Sequence, residues 1–139
     1  MSQEERVILD LVHRMLRAIH AGDTNTYEAM CDPHLTCFEA DVAPYRIDGL
    51  PFHVALMQAM SRSHLYADLV RFDVLDPSVQ MLSDEVAVAT YTRLMTYVGA
   101  AGTRWVASNE TRVFRRSPDG WRMVHFHRSP AATGLRPAS

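Results

Sequence analysis

The spacing of apolar residues changes near residue 69, and this change limits the available folds more than any other feature of the sequence. Up to about residue 62, apolar residues recur every three or four positions, which is the period of an amphipathic helix. From residue 69 onward they alternate with polar residues, which is the period of a half-buried strand. Helices followed by a run of strands joined by short turns indicate an α+β fold with an antiparallel sheet.

Three helices are predicted in the first half of the chain. The apolar face of the first consists of residues at steps of three and four, namely Val7, Ile8, Leu11, Val12, Met15, Leu16 and Ile19. Gly22 is expected to end this helix, and Asp23 to cap the start of the next. The second helix is short and ends before Pro33. The third begins near Pro51, a residue suited to a first helical turn, and runs to about Arg62.

Short turn motifs divide the second half of the chain into five predicted strands, at residues 69–75, 79–82, 86–98, 103–116 and 121–129. A further brief strand is predicted at 35–39, and a loop follows it over 40–49. Strands of a dozen residues twist and bend. We therefore expect the sheet to curve around the first helix and to leave a conical cavity at one end.

The composition fits a single cytoplasmic domain. The 139 residues carry a formal net charge of −2, so neither nucleic acid nor a membrane surface is expected as a partner. We predict one domain over residues 1–130 and a flexible tail at 131–139. Cys31 and Cys37 do not have the spacing of a zinc signature and are expected to be reduced core residues. No apolar segment near the first residue resembles a signal peptide, which favours a cytoplasmic location.

Several short motifs resemble one known family, in order and at similar spacing along nearly the whole chain. They are the segments 21–24, 31–39, 89–94, 110–113, 119–121 and 124–129, which read AGDT, CDPHLTCFE, ATYTRL, ETRV, DGW and VHFHRS. Together these motifs are similar to the association (hub) domain of calcium/calmodulin-dependent protein kinase II. That domain belongs to the nuclear-transport-factor-2-like superfamily.

This resemblance implies an α+β cone in which three N-terminal helices pack in a strongly curved antiparallel sheet. It implies homodimers formed through the sheet and larger rings in the kinase, and neither a metal nor another cofactor. It also implies a deep pocket that holds a small carboxylate. The matching ligand-binding positions are Arg93, Arg112, Arg128, His53, Tyr91 and Glu39.

Some features depart from the family pattern. No kinase domain or calmodulin-binding segment is visible in the sequence, so the chain is expected to be a stand-alone homologue. Residues 63–68 do not match the family's loop before the sheet, which predicts a different pocket mouth. Cys37 and Asp41 also depart from the usual pattern.

The alternation of side chains along strands supports the pocket independently. Arg93, Arg112 and Arg128 each share a strand face with apolar or aromatic residues. A buried guanidinium needs an acid partner or an external anion, because it cannot lose its proton. The acids that the pattern places best are Glu39 and Glu110, and three cations against one or two acids favour a site for a small organic acid. Internal salt bridges, within the chain or at a subunit interface, are the alternative.

Two histidines of the last predicted strand are candidate metal ligands. His125 and His127 share a face of the last predicted strand with Trp121 and Met123. A metal site there needs a third ligand, for which His53 is the candidate. We favour packing of the histidine pair at a dimer sheet and predict no metal site. His53 is interpreted as a hydrogen-bonded wall residue of the pocket, with a general base as the alternative.

Three functions are compatible with these patterns. We favour an oligomerising domain, a homodimer or larger ring, whose arginine-lined pocket binds a small carboxylate. The second is an enzyme of the isomerase, dehydratase or hydrolase type, with Glu39 or His53 as the base and Tyr91 as a hydrogen-bond donor. No catalytic dyad of those enzymes matches residue for residue, and fold analogy alone does not establish catalysis. The third is a docking module for an unidentified partner.

Overall fold

The computed structural model describes residues 1–62 and 66–131. The elements in these ranges are α1 (Gln3–Ala21), α2 (Thr24–Ala29), β1 (Cys31–Glu39), β2 (Ile47–Asp48), α3 (Leu50–Arg62), β3 (Leu69–Ser83), β4 (Val86–Gly99), β5 (Gly102–Ser117) and β6 (Gly120–Pro130). The predicted α+β class with helices before the long strands is confirmed. Residues 63–65 of the non-matching loop and 132–139 of the predicted tail lie outside the described residues.

Helix α1 begins and ends where its capping residues predict. The hydroxyl of Ser2 accepts the N–H of Glu5 at 3.1 Å. Gly22 follows the last turn with φ 70°, a left-handed conformation that favours glycine. Val7 is 43% exposed, because it lies about 100° around the helix from Ile8 and so outside the apolar stripe. The side chains that α1 buries are Ile8, Val12, Met15, Leu16 and Ala18.

The described strands form one sheet in the order β2-β1-β6-β5-β4-β3. Strands β3 to β6 pair antiparallel with their neighbours, as the short turns between them predict. The pairing of β1 with β6 is parallel and so departs from the predicted antiparallel pattern. No hairpin joins these two strands, so a short turn does not fix their relative direction. Strand β2 is a two-residue addition from the predicted loop and pairs antiparallel with β1.

Strand β3 joins two segments that the sequence separates at Asp76 and Pro77. The ladder between β3 and β4 is irregular between Leu75 and Ser78, and Asp76 has φ 48°. Proline has no N–H to donate to a ladder, so the irregularity accommodates it without ending the strand. Such a bulge bends the strand and increases its local twist, which suits a curved sheet.

The core lies between α1 and the inner face of the sheet. Its apolar members include Met15 of α1, Leu35 of β1, Ala89 of β4 and Phe114 of β5. Charged side chains are buried in the same interior and form the candidate site. None of the helices within residues 1–62 and 66–131 has the length and apolar character needed to cross a membrane.

Candidate functional site

The six side chains predicted to bind a ligand converge in the interior, and each residue is at most 8% exposed. They are Glu39 from β1, His53 from α3, Tyr91 and Arg93 from β4, Arg112 from β5 and Arg128 from β6. Tyr91 is the one of these six that does not line the cavity, although it contacts Arg112. The cavity has a volume of about 40 Å³. A single water needs roughly 10–15 Å³, so the cavity suits a molecule of a few atoms.

Glu110 of β5 is the centre of a buried ion-pair network. One carboxylate oxygen accepts from Nε of Arg93 at 2.7 Å and from Oγ of Ser108 at 2.6 Å. The other accepts from Oη of Tyr91 at 2.7 Å and from Nη2 of Arg112 at 3.1 Å. Burial alone would raise the pKa of Glu110, but the two guanidiniums and the hydrogen bonds lower it to about 2. Glu110 therefore remains ionised at neutral pH and offsets part of the charge of both arginines.

Arg112 is enclosed on every side and only 1% exposed. Its Nε donates to Oη of Tyr91 at 2.7 Å, and its Nη1 lies 3.2 Å from Sδ of Met123. The guanidinium carbon lies 4.8 Å from the centre of the Phe126 ring, at cation–π distance. This guanidinium is thus fixed in position beside the cavity by contacts on three strands.

A bulge in β6 brings Met123 to the inner face. The register with β5 passes from Val113 opposite His125 to Phe114 opposite Met123, so Val124 has no partner across the ladder. The prediction that Met123 shares a face with His125 is therefore wrong. One extra residue in a strand reverses the alternation of side chains beyond it, and the sequence pattern alone assumes a regular strand.

Arg128 forms the second ion-pair group, at the end of β6. Its Nη2 donates to Oε2 of Glu39 at 2.9 Å and to Oδ1 of Asp41 at 2.7 Å. Glu39 faces Arg128 across the parallel pair of β1 and β6. Burial raises the pKa of Glu39, and the nearby charge of Arg128 opposes this shift only in part. The side chain of Asp41 is 55% exposed, so its carboxylate meets solvent at the edge of the group.

His53 lies in the first turn of α3, between two polar groups. Its Nε2 is 2.9 Å from Oη of Tyr27, and its Nδ1 is 3.3 Å from Oε1 of Glu39. The Sγ of Cys37 is 3.7 Å from the same Nδ1. Burial lowers the pKa of His53 to about 4, and the charges of nearby arginines act in the same direction. His53 is therefore neutral at physiological pH.

Sequence reasoning missed His20, which lies in the last turn of α1. Its Nε2 is 3.3 Å from Nη1 of Arg93, and its ring stacks on Phe72 with centroids 4.9 Å apart. Burial and the charge of Arg93 lower the pKa of His20 to about 4, so this ring is also neutral. A signal was present in the sequence, because His20 is four residues after Leu16 and continues the buried stripe of α1.

Tyr27 and Asp41 were also overlooked as site residues. Tyr27 is only 1% exposed, lines the cavity and contacts His53. Its signal was weak, since an aromatic residue on a short helix usually indicates packing alone. Asp41 follows β1 in a segment without regular alternation, so the pattern gave no direction for its side chain.

The buried side chains around the cavity carry more positive than negative charge. Three buried guanidiniums, of Arg93, Arg112 and Arg128, face two buried carboxylates, of Glu39 and Glu110. Each arginine nevertheless has an acid partner, so the internal salt bridges considered as an alternative are present. Compensation of the third positive charge comes from the half-exposed Asp41.

His125 and His127 lie on the outer side of the sheet, away from the cavity. The ring of Phe38 packs beside both, with centroid distances of 5.9 Å and 5.5 Å. His53 lies on the inner side, with its ring centroid 5.3 Å from that of Phe126. The three histidines considered as metal ligands therefore do not meet.

Comparison with known proteins identifies relatives of this fold. The family model described as the calcium/calmodulin dependent protein kinase II association domain matches residues 4–132. A calcium/calmodulin-dependent protein kinase type II alpha chain from Drosophila melanogaster is 33% identical over 132 residues, which are 94% of this chain and 24% of that protein. The type II subunit delta from Oryctolagus cuniculus is 33% identical over 91% of this chain and 24% of its own length. The chain thus spans about a quarter of these relatives.

Solved structures agree with the sequence comparison. The calcium/calmodulin-dependent protein kinase II hub of S. rosetta has a TM-score of 0.81 and 32% identity, covering 94% of this chain and 99% of that one. The hub homology domain from Chlamydamonas reinhardtii has a TM-score of 0.72 and 32% identity, covering 90% and 96%. The fold is also shared by a putative dehydratase of the NTF2-like family from Streptomyces avermitilis. Its TM-score is 0.74 at 19% identity, and the match covers 94% of this chain and 97% of that one. The chain belongs to the calcium/calmodulin-dependent protein kinase II association domain family.

Proposed function

We propose that this chain is a self-associating domain whose arginine-lined cavity binds a small carboxylate. The observation that carries the proposal is the set of three buried guanidiniums against two buried carboxylates around one cavity. Burying an uncompensated charge costs several kcal/mol, so an anion that enters the cavity gains from the excess. The half-exposed Asp41 compensates this charge in the absence of a ligand and is the acid that a ligand would most readily displace.

The geometry of Arg128 suits such a ligand. Both of its acid partners accept from Nη2, which belongs to both two-pronged faces of the guanidinium, so a ligand carboxylate would take the place of Asp41 at this nitrogen. A guanidinium fork binds a carboxylate through two parallel hydrogen bonds. The cavity wall also includes the apolar side chains of Leu56, Met57 and Phe126. A short aliphatic acid would therefore place its carboxylate against the arginines and its chain against these residues.

Binding is favoured over catalysis by the way the candidate bases are held. The carboxylate of Glu39 is paired with Arg128 and contacts His53. The Nε2 of His53 faces the hydroxyl of Tyr27. A general base needs a basic atom directed at the substrate. In Glu39 and His53 the atoms that could act as a base are instead in contact with other side chains of the protein.

Self-association is supported by the family and by the outer face of the sheet. The relatives of known structure include a hub domain and an association domain of calcium/calmodulin-dependent protein kinase II. On this chain the outer face carries Leu94 opposite Ala107 and Thr96 opposite Trp105. Trp105 is 61% exposed. A large exposed aromatic side chain on a sheet face is typical of an interface, and a second copy of the chain is the proposed partner. A different docking partner on this face is the alternative.

Thermal denaturation with small carboxylates tests the binding proposal. We expect acetate or propionate to raise the midpoint of the wild-type protein, because a ligand at a hundred times its Kd adds about 2.7 kcal/mol to stability. Arg128→Ala should lose this shift. Arg17→Ala, on the exposed face of α1, should retain it. Equal shifts in Arg128→Ala and in the wild type, or no shift with any acid, would leave the arginines with a structural role only.

A further inference from the structure

A second cluster of chemically reactive groups lies at the edge of the cavity and is not explained by carboxylate binding. Cys37 and Glu39 are two residues apart on β1 and so share a strand face. His53 of α3 packs over them. All three side chains are buried, and Sγ, Oε1 and Nδ1 all lie within 4.8 Å of one another.

The distances between these atoms fit coordination of one tetrahedral ion. Zinc lies at about 2.3 Å from sulfur, 2.0–2.1 Å from histidine nitrogen and 2.0–2.2 Å from carboxylate oxygen. At tetrahedral angles these bonds separate sulfur from nitrogen or oxygen by about 3.5 Å, and nitrogen from oxygen by about 3.3 Å. The structure has 3.7 Å between Sγ and Nδ1, 4.0 Å between Sγ and Oε1, and 3.3 Å between Nδ1 and Oε1. Only the distance from Sγ to Oε1 requires adjustment, by about half an ångström.

We propose that Cys37, Glu39 and His53 form a zinc-binding site whose fourth coordination position faces the cavity. Thiolate, imidazole and carboxylate are the three ligand types that proteins use for this borderline-soft cation. Glu39 and His53 both line the cavity, so an ion held by them is accessible from it. Zinc sites with three protein ligands keep the fourth position for water or another small molecule.

Contacts with neighbouring side chains orient Glu39 and His53 toward the proposed metal. Oε2 of Glu39 accepts from Nη2 of Arg128 at 2.9 Å, which leaves Oε1 directed at the cluster. Oη of Tyr27 lies 2.9 Å from Nε2 of His53. A proton on Nε2, donated to this hydroxyl, leaves Nδ1 as the metal-binding atom. Partners of this kind fix the orientation of metal ligands and raise their affinity.

The thiol loses its proton when the metal binds, so the net charge of the cluster rises by one rather than by two. Cys37 supplies the new negative charge, and the carboxylate of Glu39 shares its charge between Zn²⁺ and Arg128. A divalent ion bound by neutral ligands alone would be repelled by Arg128, which lies against Glu39. The site therefore requires the anionic thiolate of Cys37. The same thiolate allows metal binding to be followed by spectroscopy.

Cobalt titration tests the site on the whole chain with its thiols reduced. Co²⁺ is the probe because it occupies zinc sites and gives a thiolate-to-metal charge-transfer band in the near ultraviolet. We expect this band to saturate at one Co²⁺ per chain and to disappear when Zn²⁺ is added. Exposed histidines such as His127 can also bind cobalt, but they cannot produce a thiolate band.

Two cysteine variants identify the ligand. Cys37→Ser should lose the charge-transfer band. Cys31→Ser is the matched control, because Cys31 is buried on the same strand but lies outside the cluster, and this variant should keep the band. Glu39→Gln should keep a weakened band with at least about tenfold lower cobalt affinity. Circular dichroism establishes that each variant is folded.

Three results would overturn the assignment. They are absence of the band in the unaltered protein, an equal band in Cys37→Ser, or unchanged cobalt affinity in Glu39→Gln. The first result is measured on the unaltered protein, so it counts against the proposal even if a variant does not fold. The inference does not rest on carboxylate binding, since the metal itself is measured. Failure of one proposal is therefore distinguishable from failure of the other.

Discussion

Replacement of Glu110 by glutamine should cause a large loss of stability. Glu110 is 2% exposed and is the acid that contacts both Arg93 and Arg112 in the interior. Glutamine has nearly the same shape, so Glu110→Gln removes the negative charge and leaves little empty space. Two guanidiniums then remain buried without their shared counter-ion, and arginine cannot relieve the repulsion by losing a proton.

The magnitude follows from the cost of breaking a buried ion pair. Removing one partner of such a pair destabilises a protein by about 3–5 kcal/mol. Here one carboxylate accepts four hydrogen bonds from different residues, at 2.6 to 3.1 Å, so the upper half of that range applies. Domains of ordinary stability unfold with about 5–15 kcal/mol. A loss of about 4–5 kcal/mol would therefore remove roughly a quarter or more of the free energy of unfolding of such a domain.

A solvent-exposed ion pair provides the matched control. Arg46 and Asp48 lie at 2.6 Å, as close as any pair in the interior, but their side chains are 57% and 59% exposed. Water screens such a pair, so Asp48→Asn should change stability little. Urea denaturation of both variants gives the free energies of unfolding. Both are measured at one protein concentration, because the proposed self-association would make stability depend on concentration. A loss in Glu110→Gln no larger than in Asp48→Asn would refute the reasoning that burial makes this network costly to break.

Three further perturbations have expected outcomes. In the folded state the pKa of His53 is lowered from 6.5 to about 4, so the unfolded chain binds a proton at this residue more readily than the folded chain does. The stability that neutral His53 contributes is therefore present above pH 6.5 and is lost as the pH falls toward 4. His53→Gln should therefore reduce the pH dependence of the free energy of unfolding in this window by up to about 3 kcal/mol, and an unchanged profile would contradict the assignment. Gly22→Ala should cost about 1–2 kcal/mol in urea denaturation because of the φ of 70° at this position; a neutral result would mean that the turn adapts. Trp105→Glu should lower the mass measured by light scattering from a dimer or larger ring toward the monomer, and an unaltered mass would exclude Trp105 from the interface.

The parts of the fold set by local periodicity could be predicted from the sequence. Helix α1 follows from the steps between Ile8, Val12 and Leu16, and its end follows from Gly22. The antiparallel strands follow from alternation and from the turns between them. The pairing of Glu110 with Arg112 was also foreseeable, because both lie on one face of β5.

The remaining features depend on contacts between distant segments. The parallel pairing of β1 with β6 juxtaposes Glu39 and Arg128, which are far apart in the chain and joined by no hairpin. The bulge at Val124 changes which side chains of β6 face inward, and nothing in the local alternation marks it. The cluster around Cys37 appears only once α3 packs over β1, since no spacing between its three residues resembles a known metal motif.

The central claim is that the buried arginines bind the carboxylate group of a small acid. Isothermal titration calorimetry of propionate into the wild-type protein tests it most directly, with propionamide as a neutral control of nearly the same shape. A saturable heat with one site per chain for propionate, and none for propionamide, is the result that we predict. Equal binding of both molecules, or of neither, would contradict the claim.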